Sequence, residues 1–220
     1  MVHQAGINRI LVRAFLRNLL GRTDYREQHE FFRRWSYSES AVPTLPTPRS
    51  PLESEALTYS DINEHLTTLY MLTVEMNLRS VLELGTRDGF STLAFLEAAK
   101  GIGGKVVSVD INPCETAKAS VKKAGLEPYW TFTLGNDLEI PWSSSVDHLF
   151  IDTLHTYEQT VAELKRFEPF VRPGGVITLH DSISFDGVRK AVDEYVTGRT
   201  DLRAYRYFNS RGLDVILKRR

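Results

Sequence analysis

The segment Val81–Ser91 reads VLELGTRDGFS. A short, mostly apolar run ends at Gly85, a second glycine follows at position 89, and FSTLAFLEAA then takes up a helical pattern. This is a strand, a tight turn and a helix. Glycine accepts a left-handed backbone and lets another group come close. The N–H groups that open the helix favour electron-rich ligands.

Outward from this point, short apolar runs alternate with helical patterns. KVVSVD and its helix Glu115–Lys123 come first, then YWTFTL. VDHLFID follows with a helix from Tyr157 to about Glu168, and GGVITLHD with GVRKAVDEYV. RAYRYF and LDVILK close the chain, joined only by NSRG, which leaves room for a hairpin and no helix. The alternation predicts an α/β fold with a mostly parallel sheet, helices on both faces and one antiparallel strand at the end. Ligands of such sheets bind beyond the C-terminal strand tips.

Upstream, residues 6–20 carry Ile7, Ile10, Leu11, Ala14 and Phe15 at helical spacing, with Arg9, Arg13 and Arg17 on another face. This amphipathic helix suits docking on its own domain or on a second copy of the chain. Residues 36–54 hold four prolines and are read as a crossing without regular structure. In YSDINEHLTTLYMLTVEMN, Ile62, Leu66, Leu69 and Thr73 share a helical face, and Ser60 is the expected N-cap. The division expected is a helical extension over 1–57 and one domain over 58–220.

The whole chain has 220 residues, with 27 basic and 28 acidic side chains and a formal charge of −1. Nothing global attracts nucleic acid, and Trp35, Trp130 and Trp142 form no stacking platform. Cys114 is the one cysteine, so an internal disulfide is excluded and a cytoplasmic location is expected. No signal peptide and no membrane span are read.

A dinucleotide turn needs G-x-G-x-x-G, and Arg87 and Phe90 occupy its second and third glycine positions. No G-K-[ST] is present for a nucleoside triphosphate. Asp110, at the end of the second strand, suits a ribose diol. The ligand indicated is a nucleoside without a pyrophosphate at the turn.

ELGTRDGFST, VVSVDINP, LGNDLE and VDHLFIDTLHTYEQTVAELKRFEPFVRPGGVITLHD, each at a strand end and in this order, resemble the class I S-adenosylmethionine-dependent methyltransferases. Within them the pattern is most like the small-molecule O-methyltransferases of the catechol, caffeoyl-coenzyme A and macrolide-sugar kinds, including a branch named for cephalosporin hydroxylases. The resemblance covers residues 58–220 and implies a Rossmann-like methyltransferase fold with seven strands, the seventh antiparallel. It implies that Glu83, Gly85, Thr86 and Gly89 hold the methionine part of S-adenosylmethionine, with Ser91 adding a hydroxyl. Asp110 would take the ribose hydroxyls, Ile111 would lie on the adenine, and Asn136 or Asp137 would meet the adenine edge. The acceptor would be a phenol, a catechol or a sugar hydroxyl.

Asp152 ends the fourth strand, and His180 and Asp181 end the fifth. Neighbouring strands lie about 4.8 Å apart, so these tips converge. Two carboxylates with an imidazole suit one divalent cation, Mg²⁺ or Mn²⁺. Asp152 and Asp181 match the acids of the related enzymes. A base is needed if no metal acts, and His155 is the first candidate and His180 the second. A noncatalytic nucleoside-binding protein and a dinucleotide-dependent oxidoreductase are the alternatives. His148, inside the fourth strand, is read as packing.

Overall fold

The computed structural model describes residues 51–219. The expected amphipathic helix over 6–20, and any subunit contact through it, lie outside the described residues.

The described chain runs α1 (Pro51–Leu57), α2 (Asn63–Glu75), β1 (Ser80–Leu84), α3 (Phe90–Ile102), β2 (Lys105–Asp110), α4 (Glu115–Ala124), β3 (Trp130–Leu134), β4 (Val146–Ile151), α5 (Tyr157–Phe167), β5 (Val171–His180), α6 (Asp186–Val196), β6 (Leu202–Tyr207) and β7 (Leu213–Lys218). The sheet has seven strands in the order β3-β2-β1-β4-β5-β7-β6. Strands β1 to β5 pair in parallel, and β7 runs antiparallel to both β5 and β6. This is the expected architecture.

Two expectations need correction. Residues 51–54 are not irregular: Pro51 opens α1. Proline suits the first helical position, where the N–H it lacks would have had no partner. Ser60 does not cap α2: the N-cap position falls at Ile62, with no side-chain cap. The backbone N–H of Ser60 instead donates to the Asn63 side chain at 3.4 Å.

Alternation along β1 sends Leu82 and Leu84 to one face and Val81 and Glu83 to the other. On the first face, Leu149, Ile151, Ile177 and Leu179 join them against Leu164 and Phe167 of α5 and Val188 and Val192 of α6. On the second, Phe95 of α3 meets Phe150 at 5.4 Å and His148 at 5.0 Å between ring centroids. Leu66, Leu69 and Thr73 of α2 are buried there, as their spacing predicted. His148 sits between the hydroxyls of Thr73 and Thr178. Burial pushes its pKa down to about 3, so it stays a neutral packing residue.

The chain reverses its order across the sheet between β1 and β4. Their C-terminal ends therefore face an open crevice rather than a covering crossover. No described helix is long and apolar enough to cross a membrane.

Candidate active site

The turn after β1 bends through two left-handed glycines, Gly85 (φ 88°) and Gly89 (φ 86°), with Arg87 between them at φ 47°. Asp110, from the tip of β2, braces it. Its Oδ2 accepts the N–H groups of Thr86 (2.8 Å) and Arg87 (3.0 Å), and its Oδ1 accepts that of Asn112 (2.8 Å). Burial alone would raise the Asp110 pKa, but these three donors hold it below the usual carboxylate value. Cys114 lies close by, and burial and the Asp110 charge push its thiol up to about 12, so it is no nucleophile.

Glu83 lies beneath the turn, fully buried. Its carboxylate accepts the hydroxyls of Ser91 (2.6 Å), Thr92 (2.7 Å) and Ser108 (2.5 Å). Glu83 and Ser91 thus bind one another and tie β1 to the start of α3. Burial, only partly offset by the three hydroxyls, raises the Glu83 pKa from 4.5 to about 7. A carboxyl whose folded pKa exceeds its unfolded value loses stability as pH rises between the two. Glu83→Gln, which stays neutral, therefore gains on the native protein by about 2 to 3 kcal/mol between about pH 5 and pH 8. Denaturant melts of both proteins at the two pH values measure this, and a constant difference would refute the buried carboxyl.

Above the turn lies an open groove. Gly85, Thr86, Gly89 and Ser91 line it together with Asp152, Thr153 and His155 from the end of β4. The Thr86 hydroxyl is buried with no protein partner among the described residues. Ile111 and Leu134 stand exposed at the tips of β2 and β3 (71% and 60%), beside Asn136 and Asp137. Asp110, Ile111, Asn136 and Asp137 adjoin the groove's neighbouring strand ends without lining it.

The acids and histidines form one cluster. His155 Nε2 lies 3.1 Å from Asp152 Oδ1 and 3.0 Å from Asp181 Oδ2. Its ring stacks on Phe185, 4.4 Å between centroids. Asp181 is buried and takes a left-handed backbone (φ 64°), a conformation unfavourable for a non-glycine residue. Its Oδ1 has no hydrogen-bond partner among the described residues. One ligand atom each from Asp152, His155 and Asp181 lie within 4.8 Å of one another.

His180 behaves differently from its expected role as ligand or base. Its Nε2 faces two backbone carbonyls, Asp61 at 3.1 Å and Ser210 at 3.2 Å, and so carries a hydrogen. Its Nδ1 faces Asp152 Oδ2 at 3.4 Å and Asp181 Oδ2 at 3.5 Å. Burial opposes charging this ring, but the two acids outweigh it and push its pKa up to about 10. Burial likewise opposes the charge on Asp152, and His155 and His180 hold it well below the carboxylate range. His155 Nε2 stands closer to both acids than His180 Nδ1 does, and it is His155, not His180, that groups with Asp152 and Asp181 as three possible ligands.

Sequence reading missed Asp61. Its carboxylate holds Arg87 by two bonds of 3.1 Å across the groove mouth, and its carbonyl holds His180 and the Ser210 hydroxyl. Nothing in a lone aspartate before a helix announces this.

Residues 82–182 match the family model described as a methyltransferase domain. A search of curated proteins finds no significant match. Among solved structures, the chain is similar to the O-methyltransferase TomG from Streptomyces achromogenes, involved in tomaymycin synthesis and solved with S-adenosylmethionine. That likeness has a TM-score of 0.61 and 20% identity, covering 79% of this chain and 92% of that one. An O-methyltransferase from Bacillus cereus, in complex with S-adenosylhomocysteine, gives 0.61 and 20% over 80% and 94%. The Podospora anserina methyltransferase PaMTH1, bound to S-adenosylhomocysteine, gives 0.65 and 13% over 90% and 98%. At these identities the likenesses establish the fold. Over residues 82–182 this chain is thus similar to methyltransferase domains, and its fold is the one shared by these S-adenosylmethionine- and S-adenosylhomocysteine-bound methyltransferases.

Proposed function

We propose that this protein transfers the methyl group of S-adenosylmethionine to a hydroxyl oxygen of a small molecule, a phenol, a catechol or a sugar. The observation that carries this reading is the placement of Asp152 and His155 on the wall of the groove that the glycine turn also lines. In such a transfer the acceptor oxygen attacks the methyl carbon in line, the carbon–sulfur bond breaks, and S-adenosylhomocysteine leaves. The hydroxyl proton must go elsewhere. A cluster of two acids and an imidazole beside the sulfonium supplies the means to remove it.

The residues present fit a divalent cation. Asp152, Asp181 and His155 would hold it, and the unpartnered Asp181 Oδ1 is the kind of oxygen such an ion takes up. The two carboxylates suit Mg²⁺ or Mn²⁺, and the imidazole favours Mn²⁺. A divalent ion there would lower the acceptor's pKa and orient it. The chain's own part is then positional. Asp61 and Ser210 hold His180, and His180 holds the two acids close together despite their like charge.

Isothermal titration with S-adenosylmethionine, alone and with Mg²⁺ or Mn²⁺, tests the reading. Cofactor binding is expected in every condition, with turnover of a screened phenol, catechol or sugar dependent on the ion. No cofactor heat in any condition would reject it, and binding without turnover of any acceptor would favour a nucleoside-binding protein.

A further inference from the structure

A second pair of acids, apart from Asp152 and Asp181, lies buried between the loop after β3 and α5. Asp137 stands in the loop after β3 and is 7% exposed; Glu163, on the inner face of α5, is 0% exposed. The side-chain amide of Gln159 donates to both, to Asp137 Oδ1 at 3.4 Å and to Glu163 Oε1 at 2.8 Å. The hydroxyl of Thr153 also donates to Glu163 Oε1. One oxygen on each acid, Asp137 Oδ2 and Glu163 Oε2, is buried with no protein partner. The network thus runs from the loop after β3, through α5, to the residue that follows Asp152 and lines the groove.

Two ionised carboxylates do not share so dry a place, and one proton stays with the pair. Burial first, and the facing Asp137 second, hold Glu163 well above the ordinary carboxylate range. The groups that face Glu163 are Asp137 from the β3–β4 loop and the neutral donors Thr153 and Gln159. Arg166, on the next turn of α5, spends a guanidinium nitrogen on the Ile140 carbonyl.

We infer that Glu163 is a positioning residue: as a neutral acid it locks the Asp137 loop, where the nucleoside edge would lie, to the Thr153 loop that carries Asp152. This rests on the nucleoside-binding reading above. Glu163 touches neither cofactor nor acceptor. It holds Asp137 at one setting through the Gln159 amide that both acids share. Its oxygen also keeps the Thr153 hydroxyl turned inward, which fixes the backbone next to Asp152.

Titration calorimetry with S-adenosylhomocysteine on the native protein, Glu163→Gln and Glu163→Leu, between about pH 6 and pH 9, tests this, with thermal melts as the folding control. Glu163→Leu leaves Asp137 and Thr153 without their partner and is expected to bind about tenfold more weakly. Glu163→Gln still accepts from Thr153 and donates to Asp137, so it is expected to keep native affinity near pH 7. The native protein is expected to lose affinity severalfold as pH rises past neutrality and the second carboxylate forms. Glu163→Gln has no such proton to lose, and its affinity stays flat. If the native protein binds and Glu163→Gln shares its pH profile, the positioning role is overturned while the nucleoside reading survives. A Glu163→Gln as weak as Glu163→Leu would overturn it equally. If the native protein binds no S-adenosylhomocysteine at any pH, the nucleoside reading fails, and this inference with it.

Discussion

Gly85→Ala is expected to abolish cofactor binding and to destabilise the fold by about 3 kcal/mol or more. Two costs add. At φ 88° any side chain strains the backbone, by about 1 kcal/mol or somewhat more. The larger cost is steric. A Cβ at position 85 would be driven into the Asp152 carbonyl oxygen, with the carbonyl carbon at 2.7 Å and the Thr153 nitrogen at 3.3 Å. These are backbone atoms at the tip of a central strand, and they have no rotamer by which to retreat. Leu84 already accepts the Asp152 N–H at 2.9 Å, so turn and acid are stitched edge to edge. The methyl group would either split this pairing or push Asp152 away from His155 and Asp181. Denaturant unfolding and calorimetry with S-adenosylhomocysteine read the two effects separately. Native stability together with native affinity would show that the turn and the acid loop are not in this contact. Gly89→Ala is a milder companion: its Cβ would meet Ala117 Cβ at 2.7 Å, on the helix packed alongside rather than in the acid cluster.

The glycine at position 85 also shows how far sequence reading reaches. The spacing of Gly85 and Gly89, the strand before them and the helix after them were legible, because local chemistry dictates a strand-to-helix turn. The reason for the first glycine was legible only in kind. Close approach was foreseen, but the approaching group is the protein's own Asp152 backbone, about 70 residues further along the chain. The same division holds across the site. Acids placed at strand tips follow from the two-residue period of a strand and the order of the sheet. Asp152 and Asp181 could therefore be paired before any coordinates. Which nitrogen of His180 faces which neighbour could not, because the Ser210 carbonyl that decides it sits on a hairpin 30 residues away. Glu163 had a faint signal. With Thr160, Leu164 and Phe167 it keeps the spacing of α5's buried face, and a carboxyl in that company needs a partner. The partner, Asp137, comes from a loop that no periodicity describes.

Asp152→Asn is expected to lower turnover about a thousandfold while leaving S-adenosylhomocysteine affinity within about threefold of native. The substitution keeps the side chain's size and removes its charge. Three groups depend on that charge: His155 through Nε2, His180 through Nδ1, and any cation that the acids hold. The cofactor turn depends on the Asp152 backbone, which the substitution leaves in place. A loss in kcat without a loss in nucleoside binding is therefore the signature of a residue that serves the acceptor. The response to metal then separates two chemistries. If Asp152 is a ligand, raising Mn²⁺ restores part of the turnover, because Asp181 and His155 still offer a weakened site. If Asp152 instead orients His155, no ion restores it. In that case His155 Nε2 carries its hydrogen toward the two acids, Nδ1 holds the lone pair, and the loss reflects a base turned out of line. Asp181→Asn should follow Asp152→Asn in either case, since His155 Nε2 stands 3.0 Å from Asp181 and 3.1 Å from Asp152. Turnover by Asp152→Asn within about tenfold of native, for an acceptor that the native protein methylates, would remove the acid cluster from the reaction. The glycine turn and its groove would then remain as a nucleoside site whose chemistry is done by other residues.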